Sequence, residues 1–451
     1  MSSSAASNGA ANGTVHLEEV LGQSGGLTAR DAGRRAAETS VQANVERANV
    51  QIAENDRSRV IWENLPRLTL TAQYTRLSPI HTPAIAGQPE PFPPPPLNNY
   101  LVSANLNVPF TEYLLRLASA LRGVGEKEQA AALTERATRT GASASAMLSY
   151  YDWVRARLQR VVTEQAVDQA KAQLRRVEAL HTAGRAAEAD VLQARAFQAD
   201  AELSLSQADT LQAIGEQRLR TALHAPPEER LSVGENVLAA FPGAEEAKSL
   251  DDLYREAESQ RLELQAFDKG SAALDRLHSV EKTRALPRLE GFGTVSYLNP
   301  NPRTFPQESQ WGKAWQVGLA LNWSTADLGT SGSSAEAARL QRVQLLEQRA
   351  LALEGMRLDI ASAYRALAQA RLNVVTAEQG ERAAVSAAEA RARLAEQGLA
   401  TELELMQAQT AQLQARLNLI NAHIGLRVAR VQLDHALGRD TGQADRKAAG
   451  G

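Results

Sequence analysis

Tyr150-Tyr151-Asp152-Trp153-Val154-Arg155-Ala156-Arg157-Leu158 returns 214 residues later as Tyr364-Arg365-Ala366-Leu367-Ala368-Gln369-Ala370-Arg371-Leu372. Set in that register without a gap, residues 150–223 and 364–437 share 22 identities in 74 positions. Composition alone would give about a tenth in a chain this rich in Ala, Gln and Leu. The matches recur where structure is demanding: Gly184 with Gly398, Leu203 and Leu205 with Leu417 and Leu419, Ala222-Leu223 with Ala436-Leu437. A period this long is no solenoid unit, so the chain is a duplication of two substantial halves.

Working outward, both halves show one order of elements: helix, strand pair, long helix, glycine turn, returning helix. Residues 30–62 and 249–282 are helical in pattern, and each segment leads into a Leu-Pro-x-Leu strand opening, Leu65-Pro66-Arg67-Leu68 and Leu286-Pro287-Arg288-Leu289. Proline is tolerated at a strand's first residue, where its missing N–H matters little. The expected division is a disordered leader at 1–14, a first repeat at 15–228 and a linker at 229–248, then a second repeat at 249–438 and a disordered tail at 439–451. Strands are expected at about 67–77 and 99–110, then 288–298 and 315–325, with hairpin tips near 184 and 398. The long arms at about 114–182 and 333–396 would run ~105 and ~95 Å, and the returning arms at 188–223 and 401–437 ~55 Å each. Helices so long and thin cannot bury both sides within one chain, which implies a multi-chain helical wall. Gly123, Gly125 and Gly141 weaken the first arm locally, and Gly329-Thr330-Ser331-Gly332 reads as a turn from strand to helix.

The strands alternate with period two. Tyr100, Val102, Ala104, Leu106, Val108 and Phe110 share a face opposite Ser103, Asn105 and Asn107, and Trp315, Val317, Leu319, Leu321 and Trp323 oppose Gln316, Gly318, Ala320 and Asn322. Leu68, Leu70, Ala72 and Tyr74 oppose a threonine and glutamine row; at 288–298 the pattern is less clean, because Phe292 shares a face with Glu290 and Thr294. Runs of about ten such residues suit a tilted bilayer-crossing strand, and equally a half-buried sandwich strand. Twelve of the 20 aromatic residues lie in 62–113 and 292–323, bracketing the apolar runs as an interfacial girdle would. Between paired strands, 79–96 holds 8 of the 17 prolines and 299–314 contains NPNPRTFP, both reading as extended surface loops.

The 451 residues carry a net charge of −3 and no cysteine. That excludes a disulfide framework, Cys-based zinc and thiol catalysis, and the near-neutral charge argues against a nucleic-acid surface. No stretch approaches 18 uncharged apolar residues, so no transmembrane helix is expected; a β-barrel is untouched by that test. Met1–Thr14 is small and polar, without the basic start and apolar core of an export signal. The seven histidines show no metal-ligand spacing, and neither Ser24-Gly25-Gly26 nor the run at 329–332 has the lysine of a phosphate loop. Nothing points to catalysis or to a cofactor.

The residues Gly398-Leu399-Ala400-Thr401-Glu402-Leu403-Glu404-Leu405-Met406-Gln407-Ala408-Gln409, continuing through Leu417 to Ala436-Leu437-Gly438, resemble the outer-membrane efflux protein (TolC) family. Gly184 to Ala194, with Asp190-Val191-Leu192-Gln193-Ala194, is the first-half counterpart, and both Leu-Pro-x-Leu openings fit. The resemblance spans about 15–440. It implies a mainly α chain with a transmembrane β-barrel: a homotrimer joining four strands per chain into one twelve-stranded barrel in outer-membrane lipid, over a periplasmic α-barrel. Tyr100, Val102, Leu106, Trp315, Leu319 and Trp323 would then face lipid. The implied function is a passive exit duct of a tripartite efflux pump or type I secretion system, opened by a periplasmic adaptor and an inner-membrane pump of RND or ABC type.

The resemblance also assigns residues. Glu404 falls where the family's acid lines the tightest constriction, and Gln407 where a second acid stands, so an amide ring would replace a carboxylate ring. Asp190 matches a position that ties the closed tip by an ion pair, but the expected arginine is Ala400 here, leaving Arg185 and Arg195 as alternatives. Gly184, Arg185, Ala186, Gly398, Leu399, Ala400 and Thr401 would dock the adaptor. The plainer reading makes Glu404 a solvated helix charge and the glycines helix caps. The rival from another class is a soluble coiled-coil scaffold with no membrane role.

Overall fold

The computed structural model describes residues 21–79, 96–239, 248–304 and 307–439. The leader, most of the proline-rich segment at 79–96 and the tail beyond 439 lie outside the described residues. In chain order the elements are α1 (Ala29–Thr39), α2 (Val41–Asn64), β1 (Arg67–Arg76), β2 (Asn98–Pro109), a π-helical turn (Glu112–Arg116), α3 (Leu117–Thr182), α4 (Glu188–Leu223), α5 (Leu250–Gln260), α6 (Leu262–Thr283), β3 (Arg288–Asn299), β4 (Gly312–Asn322), α7 (Thr325–Glu396) and α8 (Glu402–Ala436). They sort into two units: Met1–Arg47, Leu133–Gln265 and Ala350–Gly451 form one, Ala48–Ala132 and Ala266–Arg349 the other. Each unit draws on both repeats.

The unit of Ala48–Ala132 and Ala266–Arg349 holds one antiparallel sheet in the order β1-β2-β3-β4. Register aligns the alternation across all four strands. Leu70 pairs with Ala104, Ala104 with Val295 and Val295 with Trp315, so one face is apolar across the middle of all four strands. That face is open: Leu70 is 76% exposed, Val317 73% and Trp315 69%. The other face carries Thr69, Thr71, Ser103, Asn105, Thr294 and Gln316, and Thr294 Oγ1 donates to Asn105 Oδ1 at 2.7 Å. Phe292, the irregularity on β3, has a packing reason. It pairs with Gly318, and a Cβ on that glycine would lie 2.8 Å from the Phe292 ring, so the ring covers the bare backbone. Phe110 covers Gly291 in the same way on the apolar face.

Three features differ from the sequence expectation. The last strand is Gly312–Asn322 rather than 315–325, so Trp323 lies just past its end, where its Nε1 donates to Ala285 O at 3.2 Å. Residues 329–334 are not a turn but the first coils of α7. Their small side chains serve close packing on α6: Ser331, 3% exposed, donates to Glu281 O, and His278 Nδ1 lies 2.8 Å from Ala335 O. Finally, each pre-strand helix is broken, at Ser40 and at Arg261. Ser40 Oγ caps Ala43 N at 3.2 Å, and the Arg261 backbone packs against Gly438 at the end of α8. Gly123, Gly125 and Gly141 interrupt nothing: α3 is continuous over 66 residues.

The other unit is helical. Its main core sets Trp153, Tyr150 and Leu158 of α3 against Leu219 and Leu223 of α4 and Ile424 of α8, all at most 1% exposed. A second core joins Leu253, Ile360, Leu433 and Leu437. The inter-repeat segment is tied down as far as it is described. Leu27 bridges Val233, Gly26 and Gly234 touch backbone to backbone, and Arg427 donates to Asn236 O and Ala239 O.

Candidate functional site

The hairpin tips are built twice to one plan. After α3, Gly184 adopts φ +71°, and after α7, Gly398 adopts φ +73°. This left-handed region suits glycine and reverses a helix end. Arg185 N donates to Leu180 O and Leu399 N to Leu394 O, both at 2.8 Å, the long-range closure of a Schellman turn. The returning helices start with acids at their third positions. Asp190 Oδ2 accepts from Ala187 N at 2.9 Å, and Glu404 Oε2 accepts from Thr401 N at 3.0 Å while Thr401 Oγ1 accepts from Glu404 N. Each acid satisfies a helix-terminal N–H and complements the helix dipole.

Glu404 also lies 3.6 Å from Arg391 of α7. Asp190 meets neither alternative partner: Arg195 pairs with Glu178 at 3.1 Å, and Arg185 is exposed. Gln407 is exposed, as are Leu399 and Thr401; Ala186 and Ala400 are half-buried.

Sequence reasoning missed Glu402. At the first position of α8 its carboxylate reaches across to α3, accepting from Gln173 Nε2 and lying 3.6 Å from Arg176. One turn on, Met406 is 4% exposed and packs with Val177 of α3 and Val191 and Ala194 of α4. Further up, Gln159 Nε2 donates to Asn421 Oδ1 at 3.0 Å. These contacts set α3 and α8 antiparallel and join the two hairpins. The signal was available: Glu402 and Met406 are one helical turn apart, and Glu188 repeats Glu402.

Residues 36–224 and 253–439 match the outer membrane efflux protein family. The chain belongs to that family. Among solved structures, this outer membrane efflux protein is similar to the outer-membrane channel OprN (19% identity, TM-score 0.76, covering 92% of this chain and 90% of that one). It is similar also to the Campylobacter jejuni channel CmeC (16%, 0.76, 93% and 88%) and the Vibrio cholerae outer membrane protein VceC (16%, 0.73, 91% and 96%). These likenesses carry the fold. A search of curated proteins finds no sequence match.

The efflux protein is thus an outer-membrane channel with a duplicated helix–strand-pair–hairpin fold, reaching into the periplasm, and the soluble-scaffold alternative finds no support. No described helix is long and apolar enough to cross a membrane. Among the described residues no cluster of His, Asp or Glu is placed to hold a metal ion.

Proposed function

We propose that three copies of this chain close their sheets into one barrel and form the passive exit duct of a tripartite efflux pump or type I secretion system. The observation that carries this is the sheet itself: an apolar face exposed on all four strands, with β1 and β4 left as unpaired edges. Hydrocarbon tolerates no open edge, so β4 of one copy must pair with β1 of the next. Tyr100, Val102, Leu106, Trp315, Leu319 and Trp323 then face lipid. Tyr74, Tyr100, Trp311 and Tyr297 form a band of rings 4.8–5.9 Å apart at the loop end, the place of an interfacial girdle. Arg76 and Lys313 are the only charged residues of the four strands on that face, both at this end, where cationic side chains meet headgroups.

The tips Gly184, Arg185, Ala186, Gly398, Leu399, Ala400 and Thr401 receive the periplasmic adaptor, and an inner-membrane pump supplies energy. The side chains of Glu404, with Gln407 one turn on, ring the narrowest passage, and Asp190 holds its own helix start in place beside it. A ring of carboxylates attracts cations and resists anions. Size exclusion with light scattering in detergent tests the assembly: a trimer is expected, and a monodisperse monomer soluble without detergent would overturn it. Single-channel currents of Glu404→Gln test the ring, where unchanged cation selectivity would remove it.

A further inference from the structure

At the helical end of the sheet, a cavity of about 640 Å³ opens among the strand ends and α2, α3, α6 and α7. Its strand residues are Arg67, Asn107, Pro109, Arg288 and Glu290, and all five share the polar face with Thr69, Asn105 and Thr294. The four strands carry three charged residues on that face, Arg67, Arg288 and Glu290, and all three line the cavity. Beyond it the face is hydroxyls, amides and small or apolar side chains.

Most charges around the cavity cancel locally. Arg116 meets Glu112, Arg284 lies 3.1 Å from Glu281, and Arg288 lies 2.7 Å from Asp327. Glu63 lies 3.8 Å from Arg59. Two charges are left: among the described residues, Arg67 and Glu290 have neither an ion pair nor a side-chain hydrogen bond. Comparison of the repeats shows how this arises. Arg288 is the counterpart of Arg67 in the second Leu-Pro-Arg-Leu opening, an offset of 221. Past the strand pairs the offset is 215, which sets Leu321 against Leu106 and Asp327 against Glu112. In the second repeat the strand arginine therefore has its acid. In the first, Glu112 is taken by Arg116, whose own counterpart is Ser331, and Arg67 is left free. Glu290 in turn has Thr69 as its counterpart. The free cation and the free anion come from differences between the repeats, not from the architecture they share.

β1 and β3 flank β2, and Arg67 is level with Phe292, two residues from Glu290. Strand spacing then sets the two backbones ~12 Å apart. Arg67 is exposed and Glu290 half-buried, and Asn64, Asn107, Thr330 and Ser334 add uncharged hydrogen-bonding groups around them. The volume is that of a small-molecule site. On the duct reading above, which alone turns this face into the bore, we propose that the cavity is a binding recess on the inner wall for small amphoteric molecules. Such a molecule carries a carboxylate and an ammonium about 10 Å apart, the first meeting Arg67 and the second Glu290.

Calorimetric titration of the trimer in detergent with three blocked tetrapeptides tests this. Acetyl-Lys-Gly-Gly-Glu-amide carries both charges on backbone positions ~10 Å apart. Gln in place of Glu leaves only the cation, and Gln in place of Lys only the anion. The two-charge peptide should bind about fivefold more tightly than either of the others, the effect of a partly exposed ion pair worth ~1 kcal/mol. Arg67→Gln should abolish the gain from the anionic end, and Glu290→Gln the gain from the cationic end. Arg67→Glu should favour the cation-only peptide, and Arg67→Glu with Glu290→Arg should restore the two-charge peptide in reversed orientation, a rescue that misfolding cannot give. Equal affinity of a trimer for all three peptides would overturn the recess and leave the duct standing. A chain that is not trimeric would overturn the duct and, with it, the placing of the recess on its wall. An Arg67→Gln variant that loses the trimer but keeps the peptide preference would assign Arg67 to the seam between copies and overturn its role in binding.

Discussion

Replacing Glu402 by alanine removes the carboxylate that spans the two hairpins. Its side chain is 15% exposed and that of Arg176 36%, so the ion pair, half in water, contributes at most ~1 kcal/mol. The larger effect is at Gln173, 5% exposed, whose amide loses a charge-assisted acceptor. Hydrogen bonds to charged groups are worth ~1.5–3 kcal/mol, and a buried donor left unmade forfeits much of that. A sum near 2 kcal/mol per chain weakens the seam between the two hairpins about 30-fold.

Denaturant unfolding should therefore find Glu402→Ala less stable than the parent by ~2 kcal/mol. Glu402→Gln keeps an acceptor for Gln173 and loses only the charge, so its effect should be smaller. Arg176→Ala in the Glu402→Ala background should add nothing, since the pair is already broken. Parental stability in Glu402→Ala, or full additivity of the two alanine variants, would refute the bridge between the hairpins.

Met406→Ala should loosen the same seam by ~2–5 kcal/mol through the cavity it leaves beside Val177 and Ala194, seen as a lower melting temperature of the helical unit. Gly234→Ala places a Cβ 2.2 Å from Gly26 O, a backbone atom that cannot yield cheaply, and should destabilise by ~1–3 kcal/mol or more in the same melt. The Arg439 guanidinium beside Glu256, with Lys248 opposite, holds that carboxyl at about 2 against an ordinary 4.5. Because the folded value lies below the unfolded one, this stabilisation is complete above about pH 4.5 and fades as pH falls toward 2, up to ~3 kcal/mol in all. Melting between pH 7 and 3 should show the loss, and Glu256→Gln should flatten it.

The duplication and the strand faces were legible because they are periodic: an offset of 214 and a period of two need no knowledge of neighbours. What was not legible depended on contacts distant in sequence. The Gly329–Gly332 run looks like a turn until α6 is laid against it, when the same small side chains become the condition for close approach. The break at Arg261 is marked by no proline or glycine nearby; it follows from the docking of Gly438, far along the chain. At the tips the resemblance pointed to Asp190 and Glu404, whose first duty in the structure is to cap their own helices. Glu402 stood two residues away and passed as one more acid on a helix, because its meaning lies in Gln173 and Arg176 on the other hairpin.

The sheet couples assembly to insertion. Leu68, Leu70, Trp315, Val317, Leu319 and Leu321 are 64–76% exposed, and burying such side chains stabilises by ~1.5–3 kcal/mol each, on the order of 10 kcal/mol per chain. That gain drives the face into hydrocarbon. The edges oppose it, because β1 and β4 each present a row of unpaired N–H and C=O groups, and each unmatched group in lipid costs several kcal/mol. A strand of 10 or 11 residues leaves about half of its groups free on an open edge, enough to cancel the apolar gain. One chain alone is therefore held at the membrane surface by a face that wants lipid and edges that cannot enter it. On the proposed trimer, pairing β4 with the next copy's β1 removes the penalty and leaves the gain, so closure of the ring has to precede or accompany insertion.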